Sequence, residues 1–164
     1  MTDNSNTRCG LVAVLGAPNA GKSTLVNALV GQKVAIVSAK AQTTRARLMG
    51  IALQGSTQII LADTPGLFEP RRRLDRAMVN AAWEGAQEAD AIQLVVDGRK
   101  KKLDYLQPIL ESLKGRPERK ILVLNKVDEV AKEPLLVTAQ ALAGTDEDGT
   151  EQTKAQFDEV FFIS

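Results

Sequence analysis

The sequence predicts an α/β fold in which helices cover both faces of a mostly parallel sheet. Short, continuous apolar runs alternate with longer stretches of helical pattern, as in buried parallel strands joined by helices. Two of the runs lie too close together for a helix between them, so they predict one antiparallel hairpin. The polar motifs directly follow predicted strands, at the sheet edge where such folds bind ligands.

Apolar runs and turn residues define each element in chain order. Residues 1–10 predict a flexible tail, residues 11–15 the first strand, and a helix follows to Val30, where Gly31 ends it. Within residues 33–47, the apolar run at 34–37 is compatible with a short strand, and residues 38–45, which have no periodicity, predict a loop. The rest predicts strands over 48–53 and 57–62, a helix over 74–88, a strand over 91–96, a helix over 103–114, a strand over 120–124, a helix over 133–143, an acidic loop over 144–155 and a strand over 160–163. Residues 11–164 therefore predict one domain.

Composition excludes several classes of chemistry. The chain has 164 residues, with 21 Lys and Arg against 20 Asp and Glu, so its net charge gives no argument for nucleic acid or membrane. The sequence has no histidine, which excludes imidazole bases and histidine-ligated metals. The single Cys9 excludes an internal disulfide and a cysteine-cluster zinc site. No apolar run is long enough to be a transmembrane segment, and we expect a cytoplasmic protein.

Residues 16–23 spell G-x-x-x-x-G-K-S between the first strand and the first helix. Gly16 and Gly21 allow a tight turn whose amides face a phosphate, and the helix N-terminus adds its positive end. Lys22 would neutralise β- and γ-phosphates, and Ser23 would ligand Mg²⁺. The flanking strand and helix argue against an ordinary glycine-rich turn. The predicted phosphate contacts are Gly16, Ala17, Pro18, Asn19, Ala20, Gly21, Lys22, Ser23 and Thr24.

Asp63, Thr64, Pro65 and Gly66 follow the third strand and predict a second phosphate-sensing element. An acid at a strand tip can hold Mg²⁺ through water, and the Gly66 amide can approach a γ-phosphate. D-T-P-G alone is an ordinary turn. Its position after a phosphate loop favours the functional interpretation.

Residues 125–128 spell N-K-V-D after the fifth strand and predict the choice of base. The Asp128 carboxylate can accept hydrogen bonds from N1–H and the exocyclic amine of guanine, a donor pair that adenine lacks. Asn125 would join this loop to the phosphate loop, and the stem of Lys126 would lie over the base. The alternative is that Asp128 merely caps a helix.

Together these motifs resemble the translation-factor-related GTPases, and the run K-A-Q-T-T-R at 40–45 with D-T-P-G-L resembles the Era family of bacterial ribosome-assembly GTPases. The resemblance covers the chain from Leu11 onward. It implies a Ras-like P-loop G domain that hydrolyses GTP to GDP with Mg²⁺. It also implies 16S rRNA and the small ribosomal subunit as partners, and peripheral association with the inner face of the cell membrane.

The resemblance also assigns roles that the residues alone leave open. Thr44 of the first switch would reach Mg²⁺ and the γ-phosphate, with Thr43 as the alternative, whereas the pattern alone favours a solvated loop. Leu67 stands where Ras-like proteins carry a water-orienting glutamine, so slow turnover is expected. Asn19 stands where potassium-stimulated relatives carry a K⁺ ligand, although a simple turn residue is the alternative. The catalytic set is then Lys22, Asn19, Thr44 and Gly66.

The family continues beyond a Ser-Ala-x loop that holds the guanine edge, through a helix to an RNA-binding KH domain. We expect Ser164 to be the first residue of that loop, and this chain to be a G domain without the KH domain. Basic residues at 71–73, 76 and 99–102 suit a solvated surface better than an RNA contact. Asp97 and Gly98 are expected to form a turn with no chemistry.

Three other functions compete with a GTP-hydrolysing switch. A P-loop ATPase or nucleotide kinase should lack N-K-x-D. A nucleotide-binding interaction module with negligible hydrolysis is compatible with Leu67. An RNA-binding protein in its own right lacks aromatic residues for base stacking, because the chain has one Trp and one Tyr.

Overall fold

A computed structural model describes residues 7–31, 48–64, 80, 82–84, 86–143 and 157–164. Within these ranges six strands form one sheet in the order β2-β3-β1-β4-β5-β6. Their bounds are β1 Arg8–Gly16, β2 Leu48–Gln54, β3 Thr57–Asp63, β4 Ala91–Asp97, β5 Arg119–Asn125 and β6 Glu159–Phe162. Only β2 and β3 pair antiparallel among these neighbours, so the predicted parallel sheet with one hairpin is confirmed.

Three α-helices are described in full: α1 Lys22–Val30, α2 Gln107–Leu113 and α3 Lys132–Ala143. The helix predicted over 103–114 is present at 104–113, but its first turn, Asp104–Leu106, is 3₁₀ and the α-helical part is shorter. Pro108 lies in the first turn of α2, where its missing amide costs no intrahelical hydrogen bond, and it thereby defines the start of the α-helix. Within the described ranges no helix is long and apolar enough to cross a membrane.

Several predicted elements lie wholly or largely outside the described residues. They are the short strand considered at 34–37, the loop over 38–45, the loop or frayed helix end over 144–155 and most of the helix over 74–88. Of that helix, the described residues 80, 82–84 and 86–87 are helical. The strand β1 begins at Arg8, inside the predicted tail, because residues 8–10 pair with residues 57–59 of β3.

Apolar side chains pack on both faces of the sheet. The larger cluster includes Leu15, Leu94, Leu122 and Leu124, with Leu106 and Leu113 packing against the sheet. The second cluster lies on the α1 side around Val14, Val26, Leu61, Val95 and Val123. Burial of both strand faces explains why the strands are continuous apolar runs rather than alternating ones.

The carboxyl ends of four neighbouring strands meet at one edge of the sheet. These strands, β3, β1, β4 and β5, end at Asp63, Gly16, Asp97 and Asn125. The register pairs Gly16 with Val95 and Asp97 with Asn125. Strand pairing therefore brings together motifs that are far apart in the sequence.

Candidate functional site

The phosphate loop is shaped by two glycines that no other residue could replace without strain. Gly16 has φ 150° and Gly21 has φ 103°. A Cβ on Gly16 would overlap the carbonyl oxygen of Val95, and a Cβ on Gly21 would overlap Nδ2 of Asn125. Both the backbone conformation and the close approach of the Val95 carbonyl or the Asn125 side chain therefore require glycine.

Lys22 begins α1 and folds back over the loop. Its Nζ donates a hydrogen bond of 2.9 Å to the carbonyl oxygen of Ala17. The residue is 6% exposed, and this burial lowers the pKa of Lys22 to about 8, although the nearby Asp63 carboxylate acts in the opposite direction. The ammonium is thus desolvated beside a loop of backbone amides, where an anion would regain charge compensation.

Ser23 and Asp63 place two oxygen ligands side by side. Ser23 Oγ donates a 2.6 Å hydrogen bond to Oδ2 of Asp63, which is fully buried at the end of β3. A hydroxyl and a carboxylate are the hard oxygen donors that Mg²⁺ prefers, and Mg²⁺ sites commonly use one or two side chains together with phosphates and water. The residues present therefore fit Mg²⁺.

Thr64 and Thr24 have different environments from each other. The Thr64 hydroxyl donates a 2.6 Å hydrogen bond to the carbonyl oxygen of Val14, and the residue is fully buried. Its side chain therefore anchors the motif to β1 rather than facing a ligand. Thr24 is exposed in the first turn of α1.

Asn125 joins the base-reading turn, residues 125–129, to the phosphate loop. Its Nδ2 donates a 2.9 Å hydrogen bond to the carbonyl oxygen of Ala20, and its Oδ1 accepts a 2.8 Å bond from the Lys126 amide. The predicted connection between the two loops is therefore present. Because Asn125 is buried, each of these bonds also satisfies a polar atom that would be costly to leave unpaired.

Lys126 makes a second connection between the two loops. Its Nζ donates 2.8 Å to the carbonyl oxygen of Asn19 and 3.0 Å to Oδ2 of Asp97. Lys126 and Asn19 both have φ 63°, the left-handed conformation that non-glycine residues rarely adopt. The strain therefore lies at Lys126, since asparagine adopts this conformation more readily than other side chains.

The turn predicted at Asp97 and Gly98 is present, and Lys126 of the base-reading turn also bonds the side chain of Asp97. The residue is 5% exposed, and its carboxylate binds Lys126 and three donors of Arg99: the backbone amide, Nε and Nη2. Burial alone would raise the pKa of Asp97, but hydrogen bonds from Arg99 and Lys126 hold it well below its usual range. An acid that ends an apolar strand, like Asp63, was the sequence signal that could have revealed it.

The basic segment 99–102 is only partly the solvated surface that the sequence predicts. Arg99 bonds Asp97, and its Nη1 also donates 3.1 Å to Oε2 of Glu129. Lys100 and Lys102 remain exposed and line a pocket of about 360 Å³ with Tyr105 beside the phosphate loop. The other predicted basic positions, 71–73 and 76, lie outside the described residues.

Asp128 lies in the 3₁₀ turn Val127–Glu129 and is exposed. Among the described residues, no side-chain hydrogen bond caps that turn. The Val127 amide donates 3.2 Å to the carbonyl oxygen of Ile163, so Ser164 lies next to the base-reading turn. Thr43, Thr44, Pro65, Gly66 and Leu67 lie outside the described residues.

Comparisons with known proteins agree with this geometry. A family model described as "50S ribosome-binding GTPase" matches residues 11–126. GTPase Era of Erythrobacter litoralis is 65% identical over 162 residues, covering 96% of this chain and 50% of the relative. GTPase Era of Agrobacterium fabrum is 50% identical, covering 100% of this chain and 52% of the relative. The chain therefore spans about half the length of the curated relatives that it matches.

Solved structures give the same result. Era in complex with MgGDPNP and nucleotides 1506–1542 of 16S ribosomal RNA matches with a TM-score of 0.79 and 32% identity, over 95% of this chain and 52% of that one. An Aquifex aeolicus Era variant bound to GDP·AlF4⁻ matches with a TM-score of 0.73 and 32% identity, over 96% of this chain and 52% of that one.

Proposed function

The chain belongs to the 50S ribosome-binding GTPase family and resembles the proteins named GTPase Era, and from that membership we propose that it is the G domain of a switch that hydrolyses GTP to GDP and phosphate. The observation that carries the proposal is the joining of the phosphate loop to the base-reading turn. Asn125 reaches the Ala20 carbonyl at 2.9 Å and Lys126 reaches the Asn19 carbonyl at 2.8 Å. One ligand with phosphates at one end and a base at the other fits this arrangement.

At the phosphate end, Lys22 would exchange the Ala17 carbonyl for oxygens of the β- and γ-phosphates. Ser23 and Asp63 would hold Mg²⁺, which neutralises charge on those oxygens when bound. Thr44 would add a ligand and the Gly66 amide a γ-phosphate contact, both by family resemblance. The loop amides and Lys22 would stabilise charge as the phosphoryl group departs.

At the base end, Asp128 would accept two hydrogen bonds from guanine, and the Lys126 stem would cover one face of the base. Val127 and Ser164 would lie along its edge. The exposed Asp128 makes no side-chain hydrogen bond within the described part of the chain, so its acceptor capacity is available. Against adenine this carboxylate would lose its donors, which is how a polar site rejects the wrong base.

The test of this proposal is competition between unlabelled GDP and ADP for a site occupied by fluorescent GDP with Mg²⁺. We expect GDP to displace the probe at least about a hundredfold better than ADP, because polar mismatches cost that much. Asp128→Asn is the matched control: its amide offers a donor, so preference should move from guanine towards xanthine. Equal displacement by GDP and ADP would overturn the guanine assignment and favour a P-loop ATPase.

Hydrolysis needs its own measurement, multiple-turnover phosphate release from GTP. Phosphate release that is lost when Lys22 is substituted supports the proposal that the chain hydrolyses GTP. Tight GDP binding without release would favour the nucleotide-binding interaction module.

We also propose that K⁺ stimulates turnover through Asn19. The residue is exposed at φ 63° in the phosphate loop. Asn19→Gly keeps that backbone conformation accessible while removing the amide oxygen. Faster phosphate release in K⁺ than in Na⁺, lost in Asn19→Gly, is the expected result, whereas equal rates in both salts would refute the role.

Small-subunit assembly with 16S rRNA is the cellular role that we propose, in the cytoplasm, with peripheral membrane association by family resemblance. The support is the relatives' name and the Era structure with 16S rRNA. In the family that RNA contact runs mainly through a KH domain. Sedimentation of this chain with small subunits in GDPNP and in GDP would show whether these residues contribute.

A further inference from the structure

The base-reading turn is attached to the end of β4 at three points. The Gly98 amide donates 2.8 Å to the Asn125 carbonyl oxygen, Asp97 accepts from Lys126 at 3.0 Å, and Arg99 donates to Glu129 at 3.1 Å. Residues 97–99 thus contact the first, second and fifth residues of the turn. A segment outside the base-reading motif fixes the shape of that motif.

Asp97 is the centre of this attachment. Its Oδ1 accepts from the Arg99 amide at 3.1 Å and from Nε at 3.0 Å. Its Oδ2 accepts from Arg99 Nη2 at 2.8 Å and from Lys126 Nζ at 3.0 Å. Four donors hold the buried carboxylate in place, and the charge-assisted bond to Lys126 Nζ is one of them.

The Lys126 backbone needs such support. A non-glycine residue in the left-handed region costs about 1–2 kcal/mol and persists only where its surroundings impose it. Asp128 follows two residues later, is exposed, and makes no side-chain hydrogen bond within the described ranges, so the backbone of this turn sets the position from which its side chain extends.

From this geometry we infer that Asp97 is a positioning residue for guanine recognition: it holds Lys126 and, through Arg99, Glu129, and thereby presents Asp128 in the orientation that accepts both donors of guanine. The inference rests on the proposed function and deepens it. Preorganisation of this kind raises affinity by removing the cost of ordering the turn on binding.

The test is Asp97→Asn, with Asp104→Asn as the matched control. Asp104 is an exposed acid in the nearby 3₁₀ turn, outside the base-reading contacts. Asparagine keeps the shape of Asp97 but turns one acceptor into a donor facing Lys126 or Arg99. We expect Asp97→Asn to weaken GDP binding about tenfold or more, since hydrogen bonds to charged groups contribute that much, and Asp104→Asn to leave it unchanged.

Selectivity between GDP and IDP separates a role of Asp97 in positioning Asp128 from a general loss of folding stability. IDP lacks the exocyclic amine of guanine, so the ratio of GDP to IDP affinity reports whether Asp128 accepts both donors. Asp97→Asn should shrink that ratio, whereas a loss of folded protein would weaken both nucleotides equally. In an Asp128→Asn background the effect of Asp97→Asn on GDP affinity should largely vanish, because the two residues act through one contact.

The outcomes separate this inference from the proposed function. A wild-type chain that does not prefer GDP over ADP overturns the function itself. If the wild-type chain prefers GDP over ADP, but Asp97→Asn and Asp104→Asn have the same ratio of GDP to IDP affinity, the inference about Asp97 is overturned and the proposed function stands. Should Asp97→Asn fail to fold, the exposed Arg99→Gln breaks the connection to Glu129, and an unchanged ratio in that variant also overturns the inference.

Discussion

The phosphate loop and the base-reading turn solve the same conformational problem differently. In the phosphate loop, glycines at 16 and 21 and an asparagine at 19 adopt the positive φ values, and these residue types tolerate that conformation without outside support. In the base-reading turn, Lys126 adopts left-handed φ despite its side chain. Contacts from Asp97 and Asn125 support Lys126, and a contact from Arg99 to Glu129 holds the end of the turn. The conformation of the phosphate loop therefore follows from its own residue types, whereas that of the base-reading turn depends on the end of β4. Parallel pairing of β4 with β5 brings that strand end beside the turn, although the two are far apart in the sequence.

The largest expected effect comes from breaking the point where the two regions touch. Gly21→Ala would push a Cβ into Nδ2 of Asn125 and impose left-handed strain, so we expect a loss of about 3 kcal/mol in unfolding free energy and about a hundredfold in GDP affinity. Urea denaturation and calorimetry measure the two quantities.

Gly31→Ala is the control for that substitution. Gly31 caps α1 at φ 79°, and a Cβ there would meet no other atom of the described residues within 4 Å, so the substitution imposes the conformational strain without the overlap. It should cost only about 1 kcal/mol. Equal losses in the two variants would mean that contact with Asn125 contributes nothing.

The second prediction breaks the side-chain support of the base-reading turn. Lys126→Met keeps the apolar stem but removes the ammonium that bonds Asn19 and Asp97. We expect GDP affinity to fall about 10- to 30-fold, since two charge-assisted bonds are lost. Lys132→Met, an exposed lysine at the start of α3, should bind GDP normally. If both variants bind GDP alike, the turn holds its shape without Lys126.

This comparison also explains what the sequence could predict. Most strands, the hairpin and α1 were predictable, because continuous apolar runs and glycine-framed motifs have one favourable arrangement in a parallel sheet. The link from Asn125 to the phosphate loop was predictable from motif order. The role of Asp97 was not, because an acid at the end of an apolar strand does not by itself show that the pairing of β4 with β5 brings Lys126 beside it. The 3₁₀ turn at Asp104–Leu106 was missed because apolar periodicity alone does not separate 3₁₀ from α geometry at a helix start.

The third prediction concerns the electrostatics of the phosphate loop. Burial lowers the pKa of Lys22 to about 8, whereas bound phosphates would raise it. Nucleotide binding should therefore take up a proton above pH 8 and none well below it. Between pH 7.0 and 8.5, where guanine keeps its N1 proton, GDP affinity should fall roughly fourfold.

Calorimetry in buffers of different ionisation enthalpy measures that proton uptake, expected at about three-quarters of a proton at pH 8.5. The free energy of unfolding of the nucleotide-free protein depends on pH in the opposite direction to GDP affinity. Because the folded pKa is below the ordinary 10.5, the unfolded chain binds more protons between the two values, and this group makes the free protein more stable as pH rises through that window. Lys22→Met should abolish the proton uptake, and its persistence would assign it to another group.

The smallest effect is expected at Thr64, which tests whether the second phosphate motif is anchored like the first. Thr64→Val keeps the shape but removes the 2.6 Å hydrogen bond to the Val14 carbonyl, at a cost of about 1 kcal/mol in unfolding free energy. Thr57→Val is the control, because it repeats the substitution at the first residue of β3, at the opposite end of the strand that Thr64 follows. GDP affinity should change less than about twofold, since pairing of Asp63 with Val14 still positions the carboxylate. A large loss of affinity at unchanged stability would instead place the Thr64 hydroxyl among the nucleotide contacts, and the motif would then work through its side chains rather than through its attachment to β1.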